Sequence, residues 1–259
     1  MTDRALSFDS VAGQYDSARP GYPPALLDTV EHLSGRPLRG ARVLDIGAGT
    51  GIATRLLRAR GADVTAVEPG PGMAAVLRAT EPGTPLVRAF GDALPFADAS
   101  ADLVTYAQSW HWTDPARALP EALRVLRPGG ALALWWNIAD TTVPWIAAQE
   151  ERLLGLSGHG AHSSDGHRAE NLPDGQRRER RVLRWTRTVP LATHLANLDS
   201  HSRFRLIGEE ATAACLARER AELLTVFPDG MVEEAYAVEL TVTLRPPASS
   251  SVGDPPSER

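Results

Sequence analysis

Short apolar runs alternate with amphipathic stretches between residues 42 and 137 of this chain. The apolar runs have the length of buried strands and occur at 42–46, 63–68, 85–89, 102–106 and 131–137. The amphipathic stretches indicate helices and occur at 52–60, 72–79 and 115–125. Strands that alternate with helices in this way are typical of a parallel sheet covered on both faces. The pattern therefore predicts a doubly wound α/β core over residues 41–138.

The regular alternation stops on both sides of this core. Residues 1–40 predict an N-terminal lid and helical segment, because proline residues interrupt them. Residues 139–179 predict a linker and an insertion that covers a bound substrate. Within them, 156–176 are rich in Gly, Ser, His and Asp and lack periodicity, as mobile surface connections do.

The chain after this insertion returns to strand and helix patterns. The predicted elements are a half-buried strand, two helices and one or two closing strands, at 180–188, 191–198, 209–226 and 232–244. Residues 180–245 are therefore predicted to complete the core and to carry a helical insertion. The small, polar, proline-containing tail at 246–259 predicts disorder.

Composition narrows the range of partners. The 259-residue chain has a net charge of −5, so it lacks the basic surplus with which nucleic-acid binders contact phosphates. No apolar run reaches the ~18 residues that span a bilayer, and the first residues lack the features of a signal peptide. We therefore expect a cytoplasmic monomer or homodimer with no nucleic-acid partner and no membrane association.

Cysteine and histidine residues predict neither a disulfide nor a metal site. The single cysteine, Cys215, lies in an apolar-periodic stretch, which predicts a buried side chain. His159, His162 and His167 stand at irregular spacing in a Gly/Ser-rich segment, without the geometry that metal ligation requires.

Three glycines at alternate positions follow the first predicted strand. In Val43-Leu44-Asp45-Ile46-Gly47-Ala48-Gly49-Thr50-Gly51 an apolar strand runs into the glycines, and a helix follows at once. Such a turn lets a ligand approach backbone that carries no side chains. The spacing Gly-x-Gly-x-Gly differs from the dinucleotide pattern Gly-x-Gly-x-x-Gly, and any tight strand-to-helix turn also favours glycine.

A carboxylate lies at the end of the second predicted strand. Glu68 follows the glycine turn by about 20 residues, a spacing at which an acid can accept hydrogen bonds from both hydroxyls of a ribose. A glutamate at a strand end can also cap the next helix. Together with the glycine turn, Glu68 favours nucleoside binding.

The order of these blocks resembles the class I methyltransferase superfamily. After Glu68 come Gly91-Asp92-Ala93-Leu94-Pro95-Phe96, Asp102-Leu103-Val104 and Leu126-Arg127-Pro128-Gly129-Gly130, in the order found in that family. The resemblance implies a Rossmann-like sheet of seven mostly parallel strands with an antiparallel seventh strand beside the sixth. It also implies S-adenosyl-L-methionine as cofactor and S-adenosyl-L-homocysteine as product.

The same resemblance assigns roles to residues by position. Asp92 would hold the adenine amino group, Ala93 would donate a backbone N–H to the ring, and Met73 would pack on the face of the ring. The residues implied to bind the cofactor are Tyr15, Arg19, Asp45, Gly47, Ala48, Gly49, Gly51, Glu68, Pro69, Met73, Asp92, Ala93 and Gln108.

Further blocks resemble the small-molecule branch that includes trans-aconitate methyltransferase-like proteins. They are Tyr15-Asp16-Ser17-Ala18-Arg19-Pro20-Gly21-Tyr22-Pro23, Gln108-Ser109-Trp110-His111-Trp112, and Arg184-Trp185-Thr186-Arg187-Thr188 with His201-Ser202. This resemblance implies methyl transfer to a small-molecule acceptor. We expect the acceptor atom to be an oxygen of a carboxylate, a phenol or an alcohol.

Two of these blocks carry the candidate substrate residues. The first block would fold over the carboxyl edge of the sheet as a lid, with Tyr22 against the substrate. Arg19 would pair with the carboxylate of the cofactor or of an acidic substrate, unless the segment is a packing helix with a solvated arginine. Trp110, His111 and Trp112 would form an aromatic wall in which His111 is the candidate general base, or would serve the fold.

Other function classes fit these residues less well. An NAD-dependent oxidoreductase needs the dinucleotide glycine pattern and a nicotinamide site. A nucleic-acid methyltransferase is disfavoured because no Asn/Asp-Pro-Pro-Tyr/Phe block follows the fourth strand. A non-catalytic partner or regulatory subunit that binds S-adenosylmethionine stays open as an alternative.

Overall fold

The computed structural model describes residues 19–154, 178–201, 204 and 207–246. Its strands are β1 (Arg42–Ile46), β2 (Asp63–Val67), β3 (Leu86–Val87), β4 (Ala101–Ala107), β5 (Leu126–Ala139), β6 (Arg178–Pro190) and β7 (Met231–Leu244). Its helices are α1 (Pro24–Ser34), α2 (Ile52–Ala59), α3 (Pro71–Thr80), α4 (Pro115–Val125), α5 (Pro144–Leu154), α6 (Leu191–Asp199) and α7 (Glu209–Val226). A short 3₁₀ helix, Trp110–Trp112, follows β4.

The seven strands form one sheet in the order β3-β2-β1-β4-β5-β7-β6. Strands β1 to β5 pair in parallel. Strand β7 lies between β5 and β6 and is antiparallel to both. This order confirms the Rossmann-like sheet with an antiparallel seventh strand that the resemblance implied.

Both faces of the sheet are covered. On one face Val104, Tyr106 and other strand residues pack with the buried side of α4. On the other face Val43 and Trp135 pack with Leu26 and neighbouring residues of α1. The side chains of successive strand residues point to opposite faces, so β4 contributes Leu103 to one core and Val104 to the other.

Local signals explain where the helices begin and end. Helix α1 has Pro24 at its first position and ends at Gly35, whose φ of +67° places it in the left-handed region that glycine favours. Helix α4 starts with Pro115 behind Asp114, whose side chain accepts a hydrogen bond from the N–H of Ala116 over 3.0 Å. These caps satisfy backbone groups that the helix leaves unpaired.

Two predicted strand boundaries are wrong. Strand β3 is limited to Leu86–Val87, where 85–89 was predicted, because the sheet ends with this short edge strand. Strand β5 begins at Leu126, where 131 was predicted, and so includes the Pro-Gly-Gly segment that follows α4. The segment joins the sheet since Gly129 and Gly130 pair through backbone hydrogen bonds with Arg245, which follows β7.

The region predicted as linker and insertion contains helix α5. Its Ile146 and Leu153 are buried, and Leu153 packs with Leu198 and Phe204. Strands β6 and β7 are single long strands, and Cys215 is buried as predicted. The predictions for Tyr15, for 156–176 and for 247–259 lie outside the described residues.

No helix in the described part of the chain is both long and apolar enough to cross a membrane. Within the same residues, no group of three or more His, Cys, Asp or Glu side chains is arranged to hold a metal ion.

Candidate active site

The turn between β1 and α2 contains three glycines with positive φ, at +67° for Gly47, +58° for Gly49 and +93° for Gly51. An added Cβ on Gly47 would lie 2.5 Å from Cβ of Ser109, and one on Gly51 would lie 3.2 Å from Leu77. On Gly49 it would meet no described atom within 4 Å. Ser109 therefore excludes a side chain at Gly47 and Leu77 leaves little room for one at Gly51, whereas Gly49 faces open space that a ligand can enter.

The carboxylate of Glu68 lies beside this open space. Its Oε2 accepts a hydrogen bond from the N–H of Gly49 over 2.8 Å, and its Oε1 accepts one from Gly70 over 2.7 Å. The residue is only 5% exposed. The two backbone donors fix the carboxylate in place beside the open space at Gly49.

Asp45 is turned into the protein interior instead. Its two carboxylate oxygens accept hydrogen bonds from the hydroxyls of Thr54, over 2.6 Å, and Thr105, over 2.9 Å. Burial raises the pKa of Asp45, and these hydrogen bonds oppose that rise. The interaction ties α2 and β4 to the end of β1, so Asp45 holds the glycine turn in position.

Asp92 lies on the loop that follows β3. Its Oδ1 accepts a hydrogen bond from the N–H of Asp114 over 3.1 Å, and burial raises its pKa. The neighbouring Gly91 is held by Tyr106, whose hydroxyl donates to the Gly91 carbonyl over 3.3 Å. Met73 is buried on α3. Ala48 in the glycine turn is also almost fully buried.

Gln108 connects the end of β4 to the N-terminal segment. Its backbone has a φ of +58° and donates to the carbonyl of Trp135 over 2.8 Å. Its side-chain amide donates to the hydroxyl of Tyr22 over 3.3 Å, and the Tyr22 ring meets Trp135 edge-on at 5.9 Å. Arg19 donates to the carbonyl of Ser200 over 3.4 Å, so this segment reaches the end of α6.

The predicted aromatic wall is only partly formed. Trp110 is completely buried and packs edge-on against Tyr106 at 4.8 Å. Trp110 therefore does not line the acceptor pocket as predicted, because its ring fills the core beneath the loop. His111 and Trp112 are partly exposed, with ring centroids 4.5 Å apart.

The hydrogen bond on His111 determines its tautomer. The indole Nε1 of Trp136 donates to Nδ1 of His111 over 3.3 Å. A neutral imidazole has one donor and one acceptor nitrogen, so an accepting Nδ1 places the proton on Nε2. In this tautomer Nε2 donates hydrogen bonds and has no lone pair with which to remove a proton.

Residues 44–134 match the methyltransferase domain family. A solved structure from Anaeromyxobacter dehalogenans, assigned to the type II methyltransferases, has a TM-score of 0.68 and 26% identity, covering 88% of this chain and 99% of that one. These two matches and the order of the sheet support the resemblance to the class I S-adenosylmethionine-dependent methyltransferases.

Two further relatives have similar sequences. An uncharacterized methyltransferase of Mycobacterium tuberculosis is 47% identical over 156 residues, which are 60% of this chain and 62% of the relative. A malonyl-(acyl-carrier protein) O-methyltransferase of Methylococcus capsulatus is 39% identical over 155 residues, which are 55% of this chain and 55% of that protein. The chain thus matches less than two thirds of the length of either relative.

Several residues that shape this methyltransferase site were not predicted. Ser109 fills the space above Gly47 and donates from its hydroxyl to the carbonyl of Ile46. Thr54 and Thr105 hold Asp45 from two different elements. Ser109 was within a quoted block, but no local pattern indicates these contacts, since each joins positions that are not neighbours in the chain.

Proposed function

We propose that this methyltransferase transfers a methyl group from S-adenosylmethionine to an oxygen atom of a small molecule. The observation that carries the proposal is the open space over Gly49 beside the fixed Glu68 carboxylate. A nucleoside could approach the bare backbone at Gly49 while its ribose hydroxyls bind the neighbouring carboxylate. The family resemblance supports the sulfonium nucleoside in particular.

The residues at the carboxyl edge of the sheet fit this cofactor. Glu68, which the N–H groups of Gly49 and Gly70 hold beside the open space, would accept hydrogen bonds from the ribose hydroxyls. Asp92, Ala93 and Met73 would contact the adenine, as the resemblance implies. Gln108 lies beyond β4, next to where the transferred methyl group would lie.

Bound S-adenosylmethionine supplies an electrophilic methyl group. The residues of the chain hold the acceptor in line with that group and exclude water from it, which is the main requirement of an in-line displacement. The Nε2–H of His111 would donate a hydrogen bond to the acceptor. An ionised carboxylate acceptor needs no base, whereas a phenol or an alcohol has to lose a proton.

An oxygen acceptor is supported by the name of the Methylococcus relative, an O-methyltransferase. A small acceptor is supported by the net charge of −5, which disfavours a polyanionic substrate. The Tyr22 segment also supports it, because the hydrogen bond from Gln108 brings this segment over the site.

Calorimetry and a transfer assay test the proposal. The full chain should bind S-adenosylmethionine and S-adenosylhomocysteine and should show no heat with NAD. With methyl-tritiated cofactor, label should appear in at least one member of a panel of carboxylic acids, phenols and alcohols. Binding of NAD without either methionine nucleoside would contradict the assignment, and cofactor binding without any transfer would favour a non-catalytic partner.

A further inference from the structure

Asn137 lies near the carboxyl end of β5. In the strand order, β5 is separated by β4 from β1 and β2, which carry the proposed cofactor site. The strand order places β1 and β2, which carry the glycine turn and Glu68, on one side of β4, and places β5, β7 and β6 on the other. In a doubly wound sheet, ligands bind outside the carboxyl ends of the strands. The acceptor half of the site is therefore the end of β5 and its neighbours.

The side-chain amide of Asn137 is buried with one end unsatisfied. Its Oδ1 accepts a hydrogen bond from the indole Nε1 of Trp185 over 2.9 Å. Its Nδ2 is shielded from solvent and has no hydrogen-bond partner among the described residues. The whole residue is 9% exposed. A buried donor without a partner costs stability, so its presence calls for an explanation.

The orientation of this amide is determined by Trp185. An indole nitrogen only donates, so the atom of Asn137 that faces it has to be the oxygen. The two N–H donors of Nδ2 are then forced to the other side. The same contact that satisfies Oδ1 leaves Nδ2 available for an acceptor that the described residues do not supply.

Trp185 is itself held rigidly. Its ring stacks on Tyr236, with centroids 5.3 Å apart and an interplanar angle of 27°. The Tyr236 hydroxyl donates to Glu234 over 2.9 Å and accepts from Asn197 over 3.1 Å. These contacts restrict the indole and, through it, the Asn137 amide.

Asn137 lies on the face that the candidate lid covers. It is two residues after Trp135 in the same strand, so both side chains point to one face of the sheet. Tyr22 packs against Trp135 on that face and accepts a hydrogen bond from Gln108. The Asn137 amide and the Gln108 loop therefore both lie at the carboxyl edge of the sheet.

We infer that Asn137 determines acceptor specificity by donating a hydrogen bond from Nδ2 to a carboxylate or carbonyl oxygen of the methyl acceptor. Trp185 is the positioning residue that aims the amide. This inference rests on the proposed function, because it assigns the end of β5 to the acceptor. It adds the chemical group that the acceptor presents there.

The amide can be observed directly by NMR in protein saturated with S-adenosylhomocysteine. The side-chain NH₂ resonance of Asn137 is assigned by its absence in Asn137→Leu. Benzoate, malonate and acetophenone serve as probes that carry the oxygen acceptor, and benzylamine serves as the probe that lacks it. At least one oxygen-bearing probe should shift the resonance in a saturable way, and benzylamine should leave it unchanged.

Variants then separate recognition from folding. Asn137→Leu and Asn137→Asp should each lower the affinity for the responding probe by about 10- to 100-fold, since a donor to a charged or polar oxygen is lost. Trp185→Phe should also lower the affinity for the probe, because the Asn137 amide is then free to rotate. Thr188→Val, a change of similar volume, removes an exposed hydroxyl from the same strand as Trp185 and should change nothing. All four variants should keep their affinity for S-adenosylhomocysteine.

Two results would overturn the inference. One is that no oxygen-bearing probe moves the Asn137 resonance in protein that binds S-adenosylhomocysteine. The other is that the responding probe binds Asn137→Asp as tightly as wild type. Failure of the wild-type protein to bind S-adenosylhomocysteine would instead contradict the proposed function, so the two failures are distinguishable.

Discussion

Trp136 donates a hydrogen bond from its indole nitrogen to Nδ1 of His111, and the two residues come from different elements, β5 and the short helix after β4. Because the indole only donates, the lone pair of the neutral imidazole is already engaged at Nδ1. To act as a base at Nε2, the ring would have to change tautomer and lose this contact. The geometry favours His111 as a donor to the acceptor molecule.

We therefore predict that His111→Asn keeps at least about a tenth of the wild-type kcat, since loss of a general base typically costs about 10²–10⁴-fold. Trp136→Phe frees Nδ1 and should change kcat by only a few fold. Both variants are measured by single-turnover methyl transfer across the pH range. A loss of 100-fold or more in His111→Asn, together with loss of the acidic limb of the pH profile, would show that His111 is the base.

The second prediction concerns Glu68, whose carboxylate binds two backbone N–H groups and faces the open space at Gly49. Glu68→Ala should weaken S-adenosylhomocysteine binding by roughly 2–3 kcal/mol, because a charged acceptor for ribose hydroxyls is lost. Calorimetry measures the change. Glu81→Ala removes a partner of Arg58 outside the site and serves as the control. An unchanged Kd in folded Glu68→Ala would mean that the carboxylate only caps the backbone.

The third prediction compares two glycines of the same turn. Gly47→Ala and Gly49→Ala both place a side chain at positive φ, which costs about 1–2 kcal/mol each. Gly47→Ala also brings its Cβ within 2.5 Å of Ser109. It should therefore lower Tm more than Gly49→Ala does, and Ser109→Gly should restore part of the loss.

Gly49→Ala should affect ligand binding more than stability. Its Cβ enters space that is open in the protein but that the cofactor is proposed to occupy. We expect a modest fall in Tm and at least a tenfold loss of S-adenosylhomocysteine affinity. Normal cofactor binding by Gly49→Ala would show that the open space is not the cofactor site.

Local signals predicted much of the fold. The glycine turn, the start of α4 at Pro115 and the bounds of α7 follow from residues that are close in sequence, and the structure agrees with each. The order of blocks also led to the correct family. Cap residues and periodicity determine such features through neighbouring positions alone.

Contacts between distant positions were not predictable in the same way. Asn137 and Trp185 are 48 residues apart and meet across β7, which lies between their strands. Gly129 and Gly130 lie before the predicted start of the strand at 131, and their pairing with Arg245 depends on the end of β7. Each case requires the register of the assembled sheet.

The last prediction concerns Glu234, a buried carboxylate of β7 that contacts His194 of α6 and Arg187 of β6. Nδ1 of His194 lies 2.7 Å from Oε1 of Glu234, and Arg187 pairs with Oε2. Burial alone would raise the pKa of Glu234, but the hydrogen bonds from His194 and Arg187 outweigh burial and hold the pKa below its usual value. The ionised carboxylate therefore stabilises the fold.

A carboxylate with a lowered pKa stabilises the fold above its unfolded pKa of about 4.3 and loses that contribution as pH falls through the folded value. Glu234→Gln should thus have a lower Tm than wild type at pH 7, and the difference should shrink as pH falls below about 4.3. Burial raises the pKa of Asp45, which acts in the opposite sense, but Asp45 is present in both proteins and cancels in the difference. Glu179→Gln, which removes an exposed pair with Arg181, should show almost no difference at any pH. Thermal unfolding of the three proteins between pH 3 and pH 7 makes the comparison. If the Tm of wild type exceeds that of Glu234→Gln by the same amount down to pH 3, Glu234 does not stabilise the fold through its charge.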